Sequence, residues 1–157
     1  MRCYKAIWGM TLKVATALAA AILLGVAVMP VPGLWWTRLL PLAILAGAVP
    51  FVVRGYAVQD GVLLIRRLWW NSRIDLAGLR SVRFDPDALK GSLRTCGNGG
   101  LFSFTGWYWN RRLGRYSMYV TDLKRPVVLT FDKRVVVVSP ADPEAFVKEL
   151  ALFCKNG

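Results

Sequence analysis

An uncharged apolar run near the N-terminus constrains the fold more than any other feature of this 157-residue sequence. Residues 14–29 read VATALAAAILLGVAVM, and the apolar stretch extends back through Lys13 to Ala6, which gives 24 residues. A helix needs roughly 20 apolar residues to cross a bilayer, and a lysine near its end can reach the interface. The sequence therefore predicts a transmembrane helix.

A second apolar run follows almost at once. Residues 34–53 read LWWTRLLPLAILAGAVPFVV, and 20 helical residues span about 30 Å. Residues 30–33 are PVPG, which ends a helix and turns the chain. Arg38 lies beside Trp35 and Trp36, and we interpret it as an interfacial anchor in preference to an ion-pathway arginine. Residues 1–53 are thus predicted to form a two-helix transmembrane hairpin.

The charge distribution predicts the orientation of this hairpin. Only four of the 21 basic residues precede Arg54, whereas all nine acidic residues follow it, and the formal net charge is +12. Basic residues flank both spans and are absent from residues 30–33. The positive-inside rule therefore places both termini in the cytoplasm. A basic domain tethered there meets anionic head groups first, so we expect the bilayer and not nucleic acid as its partner.

A cleaved signal peptide over residues 1–29 is the alternative, because Arg2 and Lys5 precede an apolar stretch with small residues near its end. It would export the basic domain. The length of the apolar core and the second run that follows argue against it.

From residue 54 the spacing of the apolar residues changes from that of a helix to that of β-strands. Residues 54–157 are predicted to form one mainly-β domain. Asp60-Gly61 between two apolar runs is a strong hairpin signal. Further strands are predicted in RSVRFD, RYSMYVTD, PVVLTFD and VVVVS, the last central because it is wholly apolar, for about seven in all. Residues 85–114 show no regular pattern.

A C-terminal helix is predicted over residues 143–153. Asp142 is a suitable N-cap, and Pro143 suits the first helical position. An apolar stripe at i, i+4 and i+7 would cover the sheet, while Lys148 and Glu149 face water; the stripe consists of Phe146, Leu150 and Phe153.

The absence of histidine excludes Ser-His-Asp triads, Cys-His dyads and HExxH zinc sites. Asp85 and Asp87 flank Pro86 and are interpreted as a turn, with acid–base chemistry as the less favoured alternative. The three distant cysteines indicate neither a disulfide framework nor a zinc site, and Cys96 is interpreted as a bystander thiol. Residues 96–100, CGNGG, match no phosphate-binding motif. We therefore expect no catalytic, metal or cofactor site.

An aromatic and basic set is the most promising candidate surface. Tryptophan and tyrosine favour bilayer interfaces, and arginine favours lipid phosphates. Packing of the rings inside the domain is the equally favoured alternative. The predicted membrane or partner surface consists of Trp69, Trp70, Trp107, Tyr108, Trp109, Arg111 and Arg112.

Four segments between residues 54 and 150 carry a family resemblance: YAVQDGVLLI, RIDLAGLRSV, TCGNGGLFSFTGWYWNRRLGRY and VVVVSPADPEAFVKEL. Through them the chain resembles bacterial pleckstrin-homology-like (PH-like) small membrane proteins. The resemblance implies a partly open barrel of two bent sheets, plugged at one end by the C-terminal helix, in a family that largely lacks an established activity. Residues 59–61 are too short for the basic loop with which relatives bind phosphoinositides.

Together these features predict a non-enzymatic PH-like binding or scaffold module in the bacterial inner membrane, with both termini cytoplasmic. It would engage a protein partner, a second copy of itself or the anionic inner leaflet. The alternative is a small regulatory or sensory subunit of a membrane complex, since small residues in the first span permit close helix packing. An enzyme would require Asp85, Asp87 or Cys96 to share a pocket.

Overall fold

The computed structural model describes residues 2–29 and 39–154. In this part of the chain, ten strands form two sheets, accompanied by three α-helices. The first sheet is antiparallel throughout and follows chain order. Its strands are β1 (Arg2–Lys5), β2 (Val53–Gln59), β3 (Val62–Arg67) and β4 (Asn71–Asp75). The predicted hairpin at Asp60-Gly61 is confirmed, because both residues adopt positive φ between β2 and β3.

The second sheet has the order β5-β9-β10-β8-β7-β6. Strand β10, which contains VVVV, is central as predicted: it pairs antiparallel with β9 and parallel with β8. The other pairs of this sheet are antiparallel. Its strands are β5 (Leu79–Phe84), β6 (Leu93–Gly99), β7 (Phe104–Asn110), β8 (Gly114–Val120), β9 (Val127–Phe131) and β10 (Val135–Val138).

The main core lies between the two sheets. Alternate residues of the central strands point to opposite sides, so Val136 and Val138 join the main core whereas Val137 packs in a second cluster behind the sheet. Burial on both faces explains why β10 is wholly apolar.

Helix α3 (Pro143–Cys154) closes this core as predicted. The Asp142 side chain caps it by accepting a 3.0 Å hydrogen bond from the Ala145 amide. Phe146 and Leu150 are buried. Glu149 differs from the prediction, since it is partly buried and accepts a hydrogen bond from the Tyr4 hydroxyl.

Helix α1 (Met10–Val28) is long and apolar enough to cross a membrane by length and composition. The second predicted span, residues 34–53, is described only from residue 39, and residues 30–38, with the predicted turn and Arg38, lie outside the described part. There α2 (Leu39–Ala48) contacts α1 and continues as a 3-10 turn over Val49–Phe51. Ten helical residues measure about 15 Å, so the described segment alone is shorter than a bilayer core.

Three strands depart from the sequence analysis. Strand β1 lies in the N-terminal flank of the first predicted span, and the sequence does not indicate it because it pairs with residues 50 or more positions away. Strands β6 and β7 lie in the segment predicted to be irregular. Strand β6 is an almost fully exposed edge strand without apolar alternation, so it carries no burial signal. These strands raise the count above the predicted seven.

Candidate functional site

The end of the first sheet nearest the apolar helices is strongly basic. Strand register brings Lys5 opposite Gly55 and Gly55 opposite Arg66, beside the point where the 3-10 turn enters β2. A cavity of about 600 Å³ lies here, lined by basic and aromatic side chains and by no acidic residue of the described chain. We call this surface the basic edge; it consists of Lys5, Arg54, Arg66, Arg67, Trp69 and Trp70.

None of the four cations of the basic edge forms an ion pair within residues 2–29 and 39–154. Trp69 is 74% exposed in the turn between β3 and β4. The edge therefore presents uncompensated positive charge and an exposed indole at the same place, a combination that suits a lipid head-group region.

Arg67 differs from the other three cations because three aromatic rings surround it. Its Cζ lies 5.6 Å from the ring centroids of Phe51 and Trp70 and 5.4 Å from that of Tyr119. Phe51 and Trp70 also meet edge to face, with centroids 5.2 Å apart. Cation–π attraction holds the guanidinium in this aromatic cage of Phe51, Trp70 and Tyr119.

The guanidinium in the cage lacks a full set of hydrogen-bond partners. Its Nε is buried and has no partner among the described residues. Burial lowers the pKa of Arg67 by removing water from the charged form. All nine acidic side chains of the sequence lie between Asp60 and Glu149, and none pairs with Arg67. The charge is thus partly desolvated without a carboxylate to neutralise it.

A second cavity, of about 460 Å³, opens on the other side of Arg67, beneath the end of α2. Its floor is formed where Gly97 pairs with Gly106 across β6 and β7. Both glycines have positive φ, and a Cβ on Gly106 would lie 2.2 Å from the Cys96 carbonyl oxygen. The absence of both side chains permits this close approach of the two strands. The walls consist of Gly47, Ala48, Phe51, Asn98, Thr105 and Tyr119.

The loop between β6 and β7, residues 100–103, fastens both apolar segments to the domain. The Thr16 hydroxyl donates to the Gly100 carbonyl at 2.9 Å and accepts from the Phe102 amide at 3.1 Å. The Ser103 hydroxyl donates to the Phe51 carbonyl at 3.0 Å. The junction is therefore a fixed contact in the described structure.

The predicted surface residues occupy different places. Trp69 and Trp70 belong to the basic edge. Trp107 and Trp109 are half-exposed in the middle and end of β7, and Tyr108 between them is a core residue, 6% exposed. Alternation along a strand explains this split, because neighbours point to opposite faces.

Arg111 and Arg112 lie at the far end of β7. Six residue steps from Phe104 to Asn110 cover about 20 Å, so their turn is one strand length from the loop that contacts α1. Arg112 donates a 2.9 Å bond to the Asp85 carboxylate. The structure does not bring these two arginines together with Trp69 and Trp70.

The carboxylates considered for chemistry are engaged in a turn. Asp85 accepts a 3.1 Å bond from the Asp87 amide, and Asp87 pairs with Lys90 at 2.9 Å. That lysine lowers the pKa of Asp87. Cys96 lies elsewhere, in a concavity with Thr95, Trp107 and Arg115 whose lining includes neither aspartate.

Arg54, Arg66 and Arg67 are among the basic residues that follow the second predicted span, where their charge indicates topology and no site. One signal was available for Arg67: it follows Leu63 and Ile65 at intervals of two, which places it on the inward face of β3. No local pattern indicates Phe51 and Tyr119, which reach Arg67 from distant elements.

Comparison with known proteins identifies the domain. No curated protein and no solved structure matches the chain. A family described as the bacterial PH domain matches residues 54–152, which is more than half of the sequence and includes β2 through most of α3. PH-like domains are generally non-catalytic binding modules. The chain belongs to the bacterial PH-domain family.

Proposed function

We propose that this protein is a membrane-tethered PH-domain module whose basic edge engages the anionic inner leaflet of a bacterial cytoplasmic membrane. The observation that carries the proposal is the basic edge itself: four cations that form no ion pair with any described residue and two tryptophans, at the end of the sheet where the apolar helices enter. Each lysine or arginine close to an anionic surface contributes roughly 1 kcal/mol.

The junction with α1 supports this placement. Only 12 residues of α1 follow Thr16, which corresponds to about 18 Å, less than the roughly 30 Å of a hydrocarbon core. If α1 crosses the bilayer, its contact with residues 100–103 must therefore lie at the level of the lipid. The domain would then rest directly on the head groups, with the basic edge beside them.

A comparison of two charge-matched variants tests the proposal. In the full chain reconstituted into bilayers, spin-labelled phosphatidylglycerol should be motionally restricted more than spin-labelled phosphatidylcholine, and salt should reduce the difference. Replacing Arg54 and Arg66 by glutamine should weaken this selectivity. Replacing Arg111 and Arg112 by glutamine removes the same charge one strand length away and should leave most of the lipid selectivity.

An equal loss of lipid selectivity in the two double variants would show that net charge alone attracts the lipid, and the basic edge would have no special role. Unchanged selectivity in the Arg54 and Arg66 variant would overturn the proposal. Crosslinking of the basic edge to another protein in native membranes, with no lipid selectivity, would favour a protein partner instead.

A further inference from the structure

We infer that the cavity beneath α2 holds one acidic phospholipid, with its phosphate on the Arg67 guanidinium and an acyl chain in the cavity. This inference rests on the proposed placement of the domain against the membrane. It adds a single, saturable site to the general attraction of the basic edge.

The charge of the cavity argues for an anion. Arg67 is the one charged residue that lines it within the described chain, and its Nε is buried without a hydrogen-bond partner. Two other polar side chains of the lining are engaged: the Asn98 amide bonds with Leu101, and the Thr105 hydroxyl lies 2.6 Å from that of Ser103. A phosphate oxygen beside the guanidinium would neutralise its charge through a charge-assisted bond.

The remaining lining argues for an acyl chain. The walls consist mostly of glycine, alanine and aromatic surface, and a volume of about 460 Å³ lies in the range of small-molecule sites. The cavity borders the last turn of α2, and that helix exposes Leu40, Leu42 and Ile44. A lipid that enters along α2 thus passes over apolar surface until its head group meets Arg67.

Free inorganic phosphate fits the cation but not this apolar wall, and a neutral lipid fits the wall but not the cation. An acidic phospholipid satisfies both. Its phosphate remains near the interface, where the aromatic cage lies at the entry of the chain into β2.

Gly47 permits a test that leaves Arg67 untouched. It lines the cavity within α2, and a Cβ placed on it meets no atom within 4 Å. Gly47→Leu should therefore fold and occupy the space proposed for the acyl chain. Gly25→Leu is the matched control, because Gly25 is also helical, is equally unobstructed and lies in α1, away from the cavity.

Native mass spectrometry of the full chain, released from detergent after incubation with phosphatidylglycerol, measures the bound lipid. The wild type and Gly25→Leu should each retain one phosphatidylglycerol per chain. Gly47→Leu and Arg67→Gln should retain about tenfold less, as expected for the loss of one charge-assisted contact or of the occupied space. Phosphatidylcholine should not compete, and inorganic phosphate should not displace the lipid.

The inference would be overturned if Gly47→Leu retained phosphatidylglycerol at the wild-type level. It would also be overturned if Gly25→Leu lost as much of the lipid as Gly47→Leu, or if inorganic phosphate displaced the lipid. The double replacement of Arg54 and Arg66 separates the two proposals. It should weaken the lipid selectivity of the bilayer while the single retained lipid remains, so either proposal can fail without the other.

Discussion

The Tyr56 hydroxyl donates a 2.7 Å hydrogen bond to the Tyr119 carbonyl and thereby joins the two sheets through the main core. It also accepts a bond from the Ser139 amide at 3.2 Å. Tyr119 is the residue whose ring covers Arg67 from the second sheet, at 5.4 Å. The buried phenol of Tyr56 thus fixes the strand that carries one wall of the aromatic cage.

Tyr56→Phe should lower the stability of the chain by about 1–3 kcal/mol, because it removes the buried hydrogen bonds that the phenol makes with the Tyr119 carbonyl and the Ser139 amide. Burial raises the pKa of Tyr56 to about 12, whereas an unfolded tyrosine titrates near 10. The neutral form is therefore favoured in the folded state, so this contribution is complete below pH 10 and declines as the pH rises from about 10 to about 12.

Urea unfolding of the detergent-solubilised chain from about pH 9 to about pH 11 should show this decline in the wild type and a shallower one in Tyr56→Phe. If the free energy of unfolding fell equally with pH in the two proteins, Tyr56 would ionise as readily in the folded chain as in the unfolded one.

The glycine pair of the cavity floor should be intolerant of side chains. Gly106 has φ +140°, and an added Cβ would lie 2.2 Å from the Cys96 carbonyl oxygen, so Gly106→Ala should cost about 3 kcal/mol or more. Gly114→Ala is the control, since Gly114 also has positive φ but meets nothing within 4 Å and should cost about 1 kcal/mol. Equal midpoints of chemical unfolding for the two variants would contradict the close approach of β6 and β7.

The contact between α1 and the loop over residues 100–103 should depend on one hydroxyl. Thr16→Val removes both hydrogen bonds at nearly constant volume, so the Phe102 amide should exchange about fivefold faster with deuterium. Thr11→Val alters an exposed threonine of the same helix and should leave this exchange unchanged. Similar exchange in all three proteins would indicate that the helix does not hold the loop.

Cys96 tests the orientation across the membrane. Its side chain is exposed on β6, so it is available for labelling wherever the domain lies. With the domain in the cytoplasm, an impermeant thiol reagent should label Cys96 only after cell lysis. Labelling in intact cells would place the domain outside and support the alternative of an exported protein.

The features that the sequence predicts are those that rest on local chemistry. Asp60 and Gly61 specify a two-residue hairpin, Asp142 caps the helix that follows, and an unbroken valine run requires burial on both faces. The family resemblance joins these elements into a PH-like domain, and the match over residues 54–152 confirms it.

The candidate site depends instead on contacts between distant residues. Thr16 meets Gly100 across 84 positions, and Tyr119 reaches Arg67 from the other sheet. In the sequence, the run from Trp107 to Arg112 indicates one membrane or partner surface because aromatic and basic residues are adjacent there. Strand alternation buries its Tyr108, and strand length separates its arginines from Trp69 and Trp70, so adjacency in sequence does not give one surface.

If the domain faces the lipid with its basic edge, the two ends of the β2–β3 hairpin differ in their distance from the bilayer, and comparing them is the most direct measurement. Leu68 lines the basic-edge cavity, whereas Gln59 is exposed at the hairpin about 20 Å away along the strands. A fluorophore would be attached to Leu68→Cys or Gln59→Cys in the full chain, with the three native cysteines replaced by serine, in nanodiscs containing brominated phosphatidylglycerol. We predict strong quenching at position 68 and weak quenching at position 59; equal quenching, or stronger quenching at position 59, would contradict the account.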